Sequence, residues 1–204
     1  MSRRYSIPAE HRSFDFEIKR SQFLTRLGRA GSRDEAEAFV RSVREQFPDA
    51  RHVCWAYIAG APDTTVRSMS DDGEPSGTAG RPMLNALQHS GIGEVVVAVV
   101  RYFGGIKLGT GGLQRAYGDA VTGVLTDLPL LERVPRKALQ IHYDYALEST
   151  IRNLLGSYDV VLGETLWANQ VSMQLQVAEE CSTEFMQHLS DRCSGQVRIE
   201  SIDE

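Results

Sequence analysis

The sequence predicts a mixed α+β protein made of two domains. Strand-like and helix-like patterns alternate along the whole chain. Residues 1–135 hold 17 Lys and Arg against 16 Asp and Glu, whereas residues 136–204 hold 5 against 11. Twelve of the eighteen glycines lie between Gly60 and Gly118. Because the composition changes near two prolines, Pro129 and Pro135, which interrupt regular structure, we predict domains at residues 1–132 and 136–204.

The first elements of the N-terminal domain follow from short local patterns. Residues 14–18 alternate apolar and charged side chains, which is typical of a strand with one buried face. A second strand is predicted over residues 22–29. Ser32 and Glu35 form a capping box. The helix that they begin has apolar residues at helical spacing until Pro48.

The remaining elements of this domain are more apolar. Residues 53–59 and 94–102 predict central strands that are buried on both faces. A helix is predicted to start near Pro82, since proline suits the first turn. A long apolar stripe from Thr110 to Leu128 predicts a second helix that stops at Pro129.

The C-terminal domain has the element order βαββαβ. Residues 139–145 and 171–177 alternate apolar and polar side chains, and residues 160–166 and 197–199 predict two further strands. Apolar residues within 147–155 and 185–189 lie on one helical face. This order predicts a ferredoxin-like fold, with two helices on one face of a four-stranded antiparallel sheet. The fold hosts many functions, so it does not identify one.

Composition excludes some classes of protein. The net charge of -5 argues against a protein that coats nucleic acid through its overall charge. The longest apolar run, residues 95–100, is far shorter than the roughly 20 residues of a membrane-spanning helix. Residues 1–8 lack the apolar stretch of a secretory signal. Three cysteines without a Cys-x-x-Cys pair predict free thiols in the cytoplasm.

Residues 70–82 concentrate three carboxylates and three glycines. Clustered carboxylates suit a divalent cation or a shared proton, but their spacing does not match a Ca²⁺-binding loop. Turn chemistry favours another interpretation, in which the aspartates cap turns through backbone amides. The candidate residues of this motif loop are Asp71, Asp72, Gly73, Glu74, Pro75, Thr78 and Gly80.

Residues 101–113 lead from a strand through glycines into the long helix. Backbone N–H groups at a helix start can bind an anion, although the pattern matches neither Walker nor dinucleotide-binding glycines. Tight packing of helix on sheet explains the glycines equally well. The candidate anion-binding or nucleic-acid-binding residues are Arg81, Arg101, Lys107, Gly109, Thr110, Gly111, Gly112 and Arg115.

Two segments resemble the IMPACT family: residues 71–84 (DDGEPSGTAGRPML) and residues 99–117 (VVRYFGGIKLGTGGLQRAY). Residues 19–24 and 51–57 support the resemblance, although Gln22 stands where the family usually has arginine. The resemblance implies an N-terminal domain like domain 2 of ribosomal protein S5. It also implies a C-terminal domain similar to the last domain of elongation factor G. By analogy, it suggests a ribosome or structured-RNA partner.

Three hypotheses about function remain open. In the first, the protein is non-catalytic and binds RNA, the ribosome or a translation-related partner through both glycine-rich segments, with a role in regulating translation. In the second, it is an enzyme for a phosphorylated small molecule that uses the carboxylates and Lys107. In the third, the motifs bind protein or pack the two domains together. No catalytic residue, metal site, cofactor or oligomeric state is assigned.

His52 and Cys54 are a further candidate pair, for nucleophilic chemistry. His52 and Cys54 fall on the same face of a predicted strand and could form a thiolate pair. Because free cysteine is among the most buried residue types, a buried strand position is the favoured interpretation.

Overall fold

The computed structural model describes residues 4–202, so residues 1–3 and 203–204 of the two predicted domains lie outside the described part. The chain divides into two compact units, Tyr5–Arg133 and the remainder, which consists of Val134–Glu204 and the residues before Tyr5. Within residues 4–202 there are eleven strands and five α-helices, which confirms the mixed α+β class. No helix in this range is long and apolar enough to cross a membrane.

The first unit contains seven strands and three helices. The strands are β1 (Tyr5–Pro8), β2 (Arg12–Ile18), β3 (Ser21–Arg29), β4 (His52–Ile58), β5 (Arg67–Ser70), β6 (Val95–Tyr102) and β7 (Leu130–Arg133). The helices are α1 (Arg33–Gln46), α2 (Gly80–Ser90) and α3 (Thr110–Leu125).

A five-stranded antiparallel sheet with the order β2-β3-β6-β4-β5 forms the centre of this unit. Apolar residues of α2 and α3 pack on one face of the sheet, and those of α1 pack on the other. Residues 95–101 of β6 are all buried. The continuous apolar run in β6 therefore reflects a strand covered on both faces, as predicted.

The start of α1 and the end of α3 differ slightly from the prediction. Ser32 caps α1 by accepting a hydrogen bond from the Glu35 amide at 3.2 Å, but the Glu35 carboxylate accepts from the Gly31 amide, not from that of Ser32. Helix α3 ends at Leu125, and Asp127 then adopts a φ of 53°. Leu128 is buried after the helix has ended.

The turn between β2 and β3 has an unusual backbone. Ile18 pairs with Ser21, so Lys19 and Arg20 alone make the turn. Their φ angles are 48° and 65°. Two-residue hairpin turns favour such angles, but asparagine and glycine adopt them at far lower cost than lysine or arginine. Both side chains are exposed, so this hairpin tip places two cations in a strained turn.

The predicted boundary segment contains a strand. Residues 130–133 form β7, which pairs antiparallel with β1. Beside this pair, buried Glu94 accepts hydrogen bonds from the Tyr5 hydroxyl and the Arg29 guanidinium, both at 2.8 Å, and forms an ion pair with Arg133 at 3.2 Å. Burial, together with the Glu94 carboxylate, raises the pKa of Tyr5 to about 12.

The second unit has the ferredoxin-like order that was predicted. It consists of β8 (Arg136–Tyr143), α4 (Glu148–Leu155), β9 (Val160–Trp167), β10 (Val171–Ala178), α5 (Ser182–Arg192) and β11 (Arg198–Ser201). The strand order is β11-β8-β10-β9, and every pair is antiparallel. Alternate residues of β8 and β10 form the core with both helices.

Strand β9 lies at one edge of this sheet. Its pairing with β10 shifts register between Met173 and Leu175, which leaves Gly163 and Glu164 at a bulge. Apolar residues flank the bulge on both sides and are about half exposed: Val161, Leu162, Leu166 and Trp167.

Candidate functional site

Asp71 organises the motif loop. Its carboxylate accepts hydrogen bonds from three backbone N–H groups, those of Gly77 at 2.8 Å, Ala79 at 2.9 Å and Gly80 at 2.8 Å. Burial raises the pKa of the Asp71 carboxyl, but these three N–H groups outweigh that effect and lower it. The ionised side chain therefore shapes the loop, as the turn-capping interpretation predicted.

The other two carboxylates of the loop also bind protein donors. Asp72 accepts from the Val53 amide at 2.7 Å and forms an ion pair with Arg44 at 2.9 Å. Glu74 is 8% exposed and accepts from the Arg101 guanidinium at 2.6 Å and from the Tyr117 hydroxyl at 2.9 Å.

These contacts do not favour the metal or acid/base interpretation of the loop. The three carboxylates are separately engaged and do not converge on a common point. Among residues 4–202, no group of three or more His, Cys, Asp and Glu side chains could hold a metal ion. Thr78 is likewise used within the loop, where its hydroxyl donates to the Pro75 carbonyl at 2.6 Å.

Cys54 belongs to the same buried network. Its thiol donates to the Asp71 carbonyl at 2.9 Å, and its sulfur lies 3.4 Å from the Tyr117 hydroxyl oxygen. Burial raises the pKa of this thiol to about 12, so it stays protonated at neutral pH. The proposed thiolate pair is therefore wrong, and the favoured buried-strand interpretation holds: Cys54 is fully buried, whereas the His52 ring donates through Nδ1 to the Asp72 carbonyl at 2.9 Å.

An open groove of about 770 Å³ lies beside this network. Segments from four parts of the first unit form its walls: the start of β4, the motif loop, the end of β6, and the loop into α3. The lining residues are Asp49, Arg51, His52, Glu74, Pro75, Arg101, Tyr102, Phe103, Lys107, Leu108, Gly109, Thr110 and Leu113. We call it the α3 groove.

Arg101 forms the floor of the charged part of the α3 groove. It is 7% exposed, and its guanidinium lies 5.7 Å from the centre of the Phe23 ring and 5.6 Å from that of Phe103. Glu74 balances its charge. Its Nε atom is buried and has no hydrogen-bond partner among residues 4–202.

Arg51 and Lys107 supply charge that is not balanced in this way. Both side chains are exposed, and neither forms an ion pair with any residue in the described part of the chain. Asp49 is the other acidic residue of the groove besides Glu74. The α3 groove thus combines two free cations with one free carboxylate and the positive end of a helix.

The start of α3 leaves backbone donors free. The first intrahelical hydrogen bond runs from the Leu113 amide to the Gly109 carbonyl at 2.9 Å, so the amides of residues 110–112 have no partner within the helix. Gly109 provides no capping side chain, and the first turn contains no acidic residue. Helix α1, in contrast, has the Ser32 cap and two acidic residues in its first turn.

Glycine is required by packing at only some positions of this region. A Cβ on Gly104 would overlap the backbone carbonyl of Arg20, and the Gly104 amide donates to the Ser21 hydroxyl at 3.2 Å. A Cβ on Gly111 would meet nothing within 4 Å. Gly104 is therefore needed for packing against the hairpin turn, and packing of helix on sheet does not explain Gly111.

The structure brings together part of the predicted site. Arg101, Lys107, Gly109 and Thr110 line the α3 groove with Glu74 and Pro75, while Gly111 and Gly112 follow in the first turn of α3. Arg81 and Arg115 are exposed on α2 and α3 and do not line the groove. Sequence reasoning missed Asp49, Arg51, His52 and the hairpin tip of Lys19 and Arg20 as neighbours of the site.

Comparison with protein families supports the division into two parts. Residues 19–125 match the family described as "Impact N-terminal domain". Residues 141–196 match the family described as "Domain of unknown function (DUF1949)". The first match spans every residue of the α3 groove and the hairpin tip.

Full-length relatives show the same similarity. The chain is 41% identical to the "IMPACT family member YigZ" of Escherichia coli, over 97% of this chain and 98% of the relative. It is 39% identical to an "IMPACT family member" of Haemophilus influenzae, over 98% and 97% of the two chains. A crystal structure described as that of a hypothetical protein superposes with a TM-score of 0.72 at 39% identity, and all of both chains is covered.

Proposed function

The chain belongs to the IMPACT family, and from the groove that its motifs form we propose that the first unit binds single-stranded segments of RNA, such as loops of ribosomal RNA. The observation that carries the proposal is that Arg51, Lys107 and Thr110, the first residue of α3, line one open groove at the helix end whose first amides have no partner within the helix. Lysine, arginine and helix N-termini are the groups that most often contact phosphate in nucleic-acid complexes.

An exposed aromatic ring beside these donors favours RNA over other phosphate-bearing partners. Phe103 is 58% exposed and lines the groove, with the Arg101 guanidinium against the ring. A base stacked on such a ring contributes about 1–3 kcal/mol to binding. Unpaired bases are available for stacking in single-stranded RNA and not within a duplex. Asp49 can accept hydrogen bonds from base amino groups or ribose hydroxyls.

The hairpin tip extends the cationic surface past Phe103. Gln22 pairs with Tyr102, and Gly104 packs on the backbone of Arg20, so the tip lies next to the edge of the groove. A bound strand that stacks on Phe103 can therefore meet Lys19 and Arg20 with its next phosphates. The acidity of the chain does not oppose this mode, since the net charge is +1 for residues 1–135 and -6 for residues 136–204.

Fluorescence anisotropy with a labelled single-stranded oligoribonucleotide tests the proposal. If binding neutralises four phosphates, the logarithm of the association constant should fall with the logarithm of the salt concentration, with a slope of about -3. Lys107→Glu is expected to weaken binding about tenfold. Arg81→Glu makes the same charge change on an exposed side chain outside the groove, and it is expected to change affinity less than twofold.

Three outcomes would contradict the proposal. Binding that does not depend on salt would exclude the phosphate contacts. Equal losses in the Lys107 and Arg81 variants would place binding outside the groove. Retention of a protein partner, with no RNA binding by the wild-type protein, would support the protein-binding hypothesis instead.

A further inference from the structure

The donors at the start of α3 suit a phosphate that carries more charge and more free oxygens than an internal phosphate of RNA. The amides of residues 110–112, the Thr110 hydroxyl and the Lys107 ammonium all lie at this end of the helix. A phosphodiester offers two non-bridging oxygens and one negative charge. A terminal phosphate monoester offers three such oxygens and a charge of about -1.5 to -2.

A second observation at the same groove also points to an anionic ligand. Arg101 is more than nine-tenths buried, lines the α3 groove and keeps one guanidinium nitrogen without a hydrogen-bond partner among residues 4–202. Its Nη1 atom alone donates to Glu74. Buried arginine is normally satisfied on all its donors. The Nε atom is fully enclosed, but Nη2 also makes no hydrogen bond within residues 4–202 and is not fully buried, so the guanidinium can still donate into the groove.

The groove is open where it meets the start of α3, so a ligand can come close to the helix backbone there. Gly109 precedes α3 with a φ of 74°, and neither Gly109 nor Gly111 would place a Cβ within 4 Å of another atom. No acidic side chain lies in the first turn to compete for the amides. The space beside Gly109 and Gly111 is therefore open to an anion that approaches this end of the helix.

We infer that the α3 groove binds the phosphate monoester at an RNA end, with the terminal phosphate at the amides of residues 110–112 and Lys107. The adjacent base then stacks on Phe103, and the following phosphodiesters approach the hairpin tip. This inference rests on the proposed function, because it specifies which part of an RNA strand occupies the same groove.

The test compares labelled eight-residue oligouridylates that differ only at their ends: 5′-phosphate, 3′-phosphate, and hydroxyl groups at both ends. Anisotropy titrations of the full chain are expected to show about tenfold tighter binding for one phosphorylated oligomer, and the preferred oligomer identifies the end. Equal affinity for all three would overturn the inference and leave the proposed function intact. Absence of binding to all three would overturn both.

Thr110→Pro removes one amide donor and the hydroxyl without disturbing α3, because proline is favoured at the first helical position and Gly109 has an extended ψ of 167°. It is expected to weaken binding of the phosphorylated oligomer more than binding of the hydroxyl oligomer, so that the preference for the phosphorylated end falls to less than threefold. Thr110→Ser keeps both donors and should retain the preference. An unchanged preference in Thr110→Pro would overturn the inference.

A mononucleotide carries the same phosphate monoester as an RNA end, so it is the alternative ligand for this groove. Competition with uridine 5′-monophosphate distinguishes the two. Weak competition, with an affinity at least tenfold below that of the phosphorylated oligomer, is expected for an RNA end. Equal affinity of the mononucleotide would overturn the assignment to RNA.

Discussion

Replacing the hairpin tip with Asn-Gly should stabilise the protein while weakening RNA binding. Lys19 and Arg20 have φ angles of 48° and 65°, and each left-handed non-glycine residue costs roughly 1–2 kcal/mol. Asparagine tolerates this region and glycine enters it freely. Because part of the cost remains with asparagine, we expect Lys19→Asn combined with Arg20→Gly to gain about 2 kcal/mol. For a chain of this length that gain raises the melting temperature by about 6 °C.

Thermal and urea unfolding, monitored by the fluorescence of Trp55, measure this gain in stability. The measurements use a Trp167→Phe background, so that the signal reports only on the first unit. The control, with alanine at both positions, removes the charges but keeps a Cβ in the strained turn. It should lose RNA affinity as the Asn-Gly variant does, without the gain in stability. The reasoning would be refuted if Asn-Gly gave no gain, or if the alanine pair gave the same gain.

Four further perturbations test other parts of the structure. Gly111→Ala and Gly118→Ala should each stabilise α3 by up to about 1 kcal/mol in urea unfolding, since neither Cβ meets a neighbour; only Gly111→Ala should weaken RNA binding. Asp71→Ala leaves three N–H groups unpaired and should cost about 1–3 kcal/mol at pH 7. Because the fold lowers the pKa of Asp71, its stabilisation is present above the unfolded pKa near 4 and is lost as pH falls, so the two denaturation curves should converge in acid. Arg101→Met strands its buried carboxylate partner and should cost about 3–5 kcal/mol by urea unfolding, less when Glu74→Gln is added. Gly104→Ala should destabilise by at least about 2 kcal/mol, since its Cβ would overlap neighbouring backbone, and circular dichroism melting would measure it.

Much of the fold could be predicted from periodicity. The run of valines in β6 predicts that this strand is buried on both faces. The alternation of apolar and polar residues in β8 and β10 predicts the strands of the ferredoxin-like fold. Strands β1, β5 and β7 could not be predicted in this way. Each has only four residues, so no period is established, and β1 and β7 are defined by pairing with each other across more than 120 residues.

The part of the site that comes from a single segment of the chain could be predicted. Lys107 and Thr110 lie in one glycine-rich segment, and their grouping follows from that segment alone. Arg51 precedes β4, and it lies near the glycine-rich segment only because the sheet places β4 beside β6. Arg81 has a suitable charge and lies near the other candidates in the sequence, but it is exposed on α2 and does not line the groove.

The bulge in β9 affects how readily copies of this protein could aggregate through this sheet edge while they fold. An edge strand of eight residues with four half-exposed apolar side chains is a template on which another chain could add its own strand. Gly163 and Glu164 interrupt that template at its middle, because the bulge breaks the straight register and adds a charged residue to the edge strand. Both features are of the kind that disfavours the addition of a further strand at a sheet edge.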